Sequence, residues 1–528
     1  MPNLSSFIKN GQNLQVKAGN AGINVGDLLL IGGPGNEAYS AKTIDYAKLG
    51  PASTVLAQTS IVASTNITQH AGRLAGAVDA NGNIYIFTLQ DGIVRKYSST
   101  GSLLASFTTT SMVSDNIMGK VVILSNGNIA IVTPGASNNI MVLDAALNQV
   151  IASFALSPAP YTNYNANLDA VALSGGGFAV VYTTTTTVTL ATFSNTGAAV
   201  LSPTTVQSVT ISTQAFVRIA QLTNGNIVVA MNMTNGSTPV GTSFFVVTTA
   251  GVSVVARVSV STETTGGPCY LAVPAAGSPS AGYFGVADPT GYVGVYSNAG
   301  ALQGSVASVI GAGGDNAGLQ FLTDGVQFVM AASNGGFLAV AQIPVTGANN
   351  AVSTTTATAV SNSAIDAALC SGQVIALYAS SATAQSAVLF GLADPTLGIT
   401  KPYMIGSPTA VGTAAATTGT EWPTILAAGD FSGVFVYDHV MTAGTFLAIY
   451  KLAASAIIGL AQGAVAAGNS GATVAVQTGP GSYPCNALAG TSGGVIFSHM
   501  AGSPTGNAGS IFNNGVSLRC AGNVRNIN

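Results

Sequence analysis

The stretch LSNGNIAIVT, residues 124–133, sets two apolar runs on either side of Asn-Gly, and nearly the same string returns as DANGNIYIFT at 79–88 and LTNGNIVVAM at 222–231. Asn-Gly between apolar runs signals a β-hairpin, since both residues tolerate positive φ and the resulting turn matches the twist of the flanking strands. The expectation is therefore a tight reversal with positive φ at both central positions. Working outward, seven segments share the form of apolar run, small polar turn with glycine, apolar run. They begin at residues 76, 121, 170, 219, 275, 319 and 366, and their turn glycines are Gly82, Gly127, Gly176, Gly225, Gly282, Gly325 and Gly372. Successive glycines are 45, 49, 49, 57, 43 and 47 residues apart.

After most of these hairpins comes a second apolar run and another turn, as in GIVRKYSSTGSLLASF (92–107), NIMVLDAALNQVIASF (139–154) and GYVGVYSNAGALQGSV (291–306). That makes four strands per unit. A four-stranded unit recurring at this period is the signature of a β-propeller. Blades covered on both faces by their neighbours also explain strands such as GFAVVY and NIVVAM, which are continuous apolar runs and not alternations. A β-sandwich or a β-solenoid would also use short strands, but a sandwich has no reason to return to one hairpin seven times, and a solenoid repeat is usually about half as long. The strings NGNIYIF, NGNIAIV and NGNIVVA resemble the inner hairpins of propeller proteins found on many bacterial and viral surfaces; the likeness spans about residues 50–395 and implies fold, not function. Seven blades are expected, with STVLAQTSIVAST at 53–65 free to close the ring against the last.

Residues 1–50 and 396–528 lack the period. The reading is an all-β chain in three parts: an N-terminal β-rich anchoring segment at 1–50, a propeller at 51–395, and a C-terminal β-rich domain at 396–528 that packs with the first, because ring closure brings entry and exit together. Within the last part, GLAQGAVAAGNSGATVAVQTGP (459–480) resembles a segment common in bacteriophage virion proteins of fibre and capsid-decoration type, where a Gly/Ala stretch leads into a strand. An Ala-rich buried helix is the competing reading of SAIIGLAQGAVAAG.

Composition narrows the function. Charged residues make up 6% of the 528, against about 25% in ordinary soluble domains, so Ser, Thr, Asn and backbone must supply the polar surface. The net charge is -3, and only Arg95 and Lys96 place two cations side by side; nothing here would neutralise nucleic-acid phosphates. Mean hydropathy is +0.49, yet the most apolar stretch, 452–468, is short and broken by Gln462, so no membrane insertion is expected. The first residues lack a secretory leader's apolar core and cleavage site, which implies synthesis in a cytoplasm. Cys269, Cys370, Cys485 and Cys520 form no C-x-x-C pair and read as buried thiols, with pairing of Cys485 and Cys520 the alternative.

Catalytic, cofactor and metal residues are all expected to be absent. Glutamate occurs only as Glu37, Glu263 and Glu421, and histidine only as His70, His439 and His499, poor material for the paired carboxylates of glycoside hydrolysis or for a metal site. No three-arginine sialidase pattern with its Asp-box repeats is present. Asp438 and His439, with Ser432 nearby, mimic part of a triad, but consecutive strand residues point to opposite faces. DANGN at 79–83 begins like a calcium loop, yet position twelve is Gln90 where a bidentate Glu is needed. The resemblance to virion proteins implies a non-enzymatic component of a phage tail, fibre, appendage or capsid surface, located in the virion and partnered by other virion proteins and copies of itself. The alternative is host attachment through glycan, for which Tyr161, Tyr164 and Tyr292 near loop positions are the aromatic candidates; a depolymerase or an adhesin comes behind.

Overall fold

The computed structural model describes residues 4–9, 12–18, 29–32, 37–40, 56–67, 75–89, 91–112, 119–134, 138–161, 167–209, 214–235, 238–261, 267–307, 319–334, 337–346, 350–354, 365–370, 373–381, 384–393, 401–411, 424–427, 434–442, 444–454, 486–489, 495–498, 510–513 and 516–519. Every regular element among them is a strand, as the composition predicts. The chain divides into two units.

Eight four-stranded sheets form a β-propeller, and most of their strands lie in the larger unit, Gln58–Leu392 with Ala410–Leu452. Blades one to seven run in order through residues 75–108, 120–154, 168–208, 214–259, 270–306, 319–354 and 365–411, each an up-and-down meander from inner to outer strand. The eighth takes three strands from Thr424–Ala427, Val434–Thr442 and Gly444–Ala454, and its outer strand is Leu56–Ile67 from the other end of the chain. The strand anticipated at 53–65 therefore does close the ring. It closes it against a blade that the seven-fold count omitted, and the ring consequently runs past residue 395 into the segment assigned to a separate C-terminal domain. That blade escapes a repeat search because only three of its strands are contiguous; the fourth lies more than 350 residues upstream.

Closure is visible in the inner strands. Each lies beside that of the next blade, and Thr424–Ala427 of the eighth lies beside Ala75–Val78 of the first. The core is a series of wedges between blades. Ile84, Ile86 and Tyr97 of blade one pack on Leu447 and Ile449 of blade eight, while Phe87, Val94 and Met112 pack on Ile129, Ile131 and Met141 of blade two. The second strands therefore bury residues of both parities, and Ile84–Thr88, Ile129–Val132 and Phe178–Thr183 have no exposed position. Full burial of such a side chain contributes about 1.5–3 kcal/mol, but only when a neighbour covers it.

The repeated turn differs from the expected two-residue form. In blade two Gly127 N donates to Leu124 O and Leu124 N to Asn128 O; only Gly127, at φ +85°, is left-handed. This is a type I turn followed by a glycine bulge. The asparagine keeps an ordinary φ and instead uses its side chain, since Asn126 Oδ1 accepts from Asn128 N and Asn224 Oδ1 from Asn226 N. The outer turns use the same device, with left-handed Gly101, Gly197, Gly251 and Gly300; in blade two the slot is filled by Leu147 at φ 66°. The Leu147 side chain is buried in the wedge between blades one and two, and that burial offsets the backbone cost of roughly 1–2 kcal/mol. At Gly197 and Gly300, by contrast, a Cβ would collide with Ile151 and Val255 of the preceding blade.

In the smaller unit, six strands pair in the order Leu4–Lys9, Gln12–Ala18, Glu37–Ser40, Leu29–Gly32, Val495–Ser498, Asn486–Ala489. Leu30 lies opposite Ile496, so strands from residues 29–40 and 486–498 share one sheet. SAIIGLAQGAVAAG, Cys485 and Cys520 lie outside the described residues.

Two glycine substitutions separate conformational strain from crowding. Gly127→Ala has open space for its methyl and should cost about 1 kcal/mol from left-handed strain alone. Gly177→Ala would drive its Cβ onto the Phe193 carbonyl oxygen and should cost at least about 3 kcal/mol. Urea denaturation of the two variants measures both.

Candidate functional site

Charge is scarce enough that its placement is informative. The inner strands of blades two, three and four carry Lys120, Asp169 and Arg218, which pair with Val132, Val181 and Ala230 of the second strands. These partners occupy equivalent register positions, so the three charges form one row across adjacent blades. The row was not anticipated from the sequence, although a signal exists: each charge stands seven residues before a turn glycine, at 120 and 127, 169 and 176, 218 and 225.

Asp169 is the centre of the row. Its Oδ1 lies 2.9 Å from Lys120 Nζ and 3.0 Å from Ala170 N, and its Oδ2 accepts from Ile219 N of blade four at 3.1 Å. One carboxylate thus joins three blades. Its side chain is 7% exposed while that of Lys120 is 48% exposed, so the lysine end of the pair reaches solvent. Asp366 repeats the arrangement in blade seven, with Ala367 N on Oδ1 and Ile425 N of blade eight on Oδ2. Both aspartates are committed to donors in their own and neighbouring strands. This is an arrangement for fastening blades and leaves little lone-pair capacity for proton abstraction.

Behind Arg218, the fully buried Cys269 donates its thiol to Phe216 O at 3.6 Å. Burial pushes this thiol up to about 12, only partly opposed by the nearby Arg218 charge. It is held protonated, as expected of a structural thiol.

The residues singled out from the sequence are not brought together. Tyr161 is partly buried against the wedge between blades three and four, and Tyr292 against that between blades four and five; they share no cluster. Tyr164, Ser432 and Gln90 lie outside the described residues. Asp438 and His439 are consecutive on Val434–Thr442, opposite Ala448 and Leu447. The Asp79 carboxylate is occupied by the hairpin itself, accepting from Asn81 N, Asn83 N, Asn83 Nδ2 and Tyr85 Oη. Burial works to raise this carboxyl, but the bonds from Asn83, Asn81 and Tyr85 outweigh it and hold it below the ordinary aspartate value. Among the described residues no three His, Cys, Asp or Glu side chains converge as a metal site, and no helix is long and apolar enough to cross a membrane.

No protein-family model matches the chain, and no curated protein does. Solved structures that resemble it include BamB from Moraxella catarrhalis, at 13% identity and TM-score 0.43 over 75% of this chain and 97% of that one. The Dos1 propeller matches at 10% identity and TM-score 0.45 over 74% and 94%. Virginiamycin B lyase from Staphylococcus aureus matches at 9% and 0.36 over 75% and 99%.

Two measurements test these assignments. Asp169→Ala leaves the buried Ile219 N–H without its acceptor and should destabilise the fold by about 2–4 kcal/mol, whereas Lys120→Ala, at the solvated end, should cost under about 1 kcal/mol. For Asp79 the folded-state carboxyl titrates below its unfolded value of 3.8, so its stabilising contribution is complete above that pH and lost as pH falls through the folded value. The stability gap between wild type and Asp79→Asn should be constant near neutrality and narrow below pH 3.8, as measured by thermal melts across pH 2–7.

Proposed function

We propose that this chain is a non-enzymatic structural component of a bacteriophage particle, in a tail, fibre, appendage or capsid-surface position, anchored through its terminal unit, with the propeller packing against further copies. The observation that carries the reading is the chemistry of the blade edges. An outer strand leaves a row of backbone donors and acceptors unpaired, and proteins that stay apart usually guard such edges with charge. The eight outer strands here contain a single charged residue, Arg257, and its Nε is turned to Ser243 Oγ of the adjacent strand.

In place of charge, the outer strands and their turns in blades one to five expose large apolar side chains. Leu103, Leu104, Val200, Val252 and Leu302 are all more than half exposed. Bulges interrupt the pairing of the third and fourth strands in blades one to six, and a bulge twists an edge away from simple strand addition. Contact through side chains between packed copies fits both features. Copies of low charge repel one another little, and contacts between hydroxyl, amide and apolar groups are little affected by salt. The likeness of residues 459–480 to virion segments supports the same reading.

The expected result is a multimer of the full chain at micromolar concentration by light scattering, and the same chain in purified particles. Replacing Val200 and Leu302 together by Asp should leave the melting temperature within a few degrees and reduce the multimer. A monomeric wild type that is also absent from particles would sink the proposal.

A further inference from the structure

We propose that the row of Lys120, Asp169 and Arg218 on the inner strands is an oxyanion-binding site, taking a carboxylate or phosphate group with Arg218 as the direct contact and Lys120 as the supporting charge. The inference is independent of the particle role proposed above. It starts from an imbalance. Three charged side chains share one register level on three adjacent strands, in a chain that has 14 basic residues among 528. Two of the three are cations.

The single anion cannot serve both. Asp169 already holds Lys120 Nζ, Ala170 N and Ile219 N. Arg218 Nη1 donates to the carbonyl of its own neighbour, Val217, at 2.9 Å, and among the described residues its guanidinium meets no carboxylate. Arg218 is only partly exposed, and the buried Cys269 thiol beside it offers no negative charge. A guanidinium has five N–H donors in a planar fork, and a partly desolvated one with most of them unused is matched by a group with two or three equivalent oxygens. Lys120, half exposed at the solvent end of its ion pair, adds a second positive charge at the same register level of the row.

Among the described residues, several other charged groups are engaged within their own turns or with neighbours. Asp79, Asp144 and Asp288 are each closed into their own turns, Arg95 is tied to Thr88 and Asp91, and Lys96 to Ala145 O and the Tyr85 ring.

The test is calorimetric titration of the full chain with sodium phosphate and, separately, with sodium malonate, at pH 7 and constant ionic strength set by chloride. Wild type should bind at least one of the two saturably at a single site; which one distinguishes a tetrahedral from a planar oxyanion. Arg218→Gln should weaken binding by at least about tenfold, and Lys120→Gln by a smaller factor. Arg218→Lys keeps the charge but not the fork, so it should lie between wild type and Arg218→Gln, and it provides a folded comparison if the glutamine variant is unstable. Absence of saturable binding by wild type, or equal binding by wild type and either Arg218 variant, would overturn the assignment.

Discussion

A propeller blade has two apolar faces and no means of covering either by itself. The wedge of side chains between one blade and the next is therefore the contact on which everything else in the larger unit depends. Ile84 and Phe87 illustrate the constraint: they are near neighbours on one strand and both fully buried, one against blade eight and the other against blade two. Such a strand has no solvent face. The chain gains the hydrophobic free energy of a blade only as its neighbours arrive, and the first and last blades gain theirs only on closure. The outer strand Leu56–Ile67 joining the eighth blade makes that last step a pairing of distant segments, tying the ring shut through backbone bonds as well as side chains.

Close blade packing also dictates the turns. Where the outer turn of one blade reaches its predecessor, as at Gly197 on Ile151 or Gly300 on Val255, the absence of a side chain is itself the fit. Leu147 shows the converse solution, a side chain filling the gap that glycine elsewhere closes by backbone approach. Polar groups then bind neighbouring turns together: Asn195 Nδ2 donates to Ser125 Oγ of blade two, and Asn298 Nδ2 to Thr223 Oγ1 of blade four. These bonds need no ionised side chain. Two carboxylates, those of Asp169 and Asp366, clip the inner strand of one blade to the next.

Much of this was legible in the linear chain. The strands, the hairpins, the period, the four-stranded unit and the closing segment near residue 56 follow from local rules, since a period-two or fully apolar run and a glycine-centred turn are decided within about ten residues. The turn type differs from the expectation because Asn-Gly is compatible with two hairpin geometries; the bulged form appears both where the asparagine after the glycine bonds its own hairpin, as Asn83 does to Asp79, and where it bonds another blade, as Asn128 does to Asn195 O. The inner row was legible only in retrospect: its seven-residue offset from the turn glycines is plain once Lys120, Asp169 and Arg218 are known to share a level, while Tyr161 and Tyr292 pack against wedges between blades.

What the sequence determined by itself is the kind of unit, an antiparallel meander with buried faces, because hydrogen-bond geometry and hydrophobic period act over short distances. What only the tertiary structure decided is how many units complete the circle and which charges face one another. Both are set by the angle and spacing at which blades pack, a property of whole wedges such as that joining Tyr97 to Leu447. No local segment of the chain contains that angle, so eight blades and the Lys120–Asp169–Arg218 row emerge only when the ring is closed.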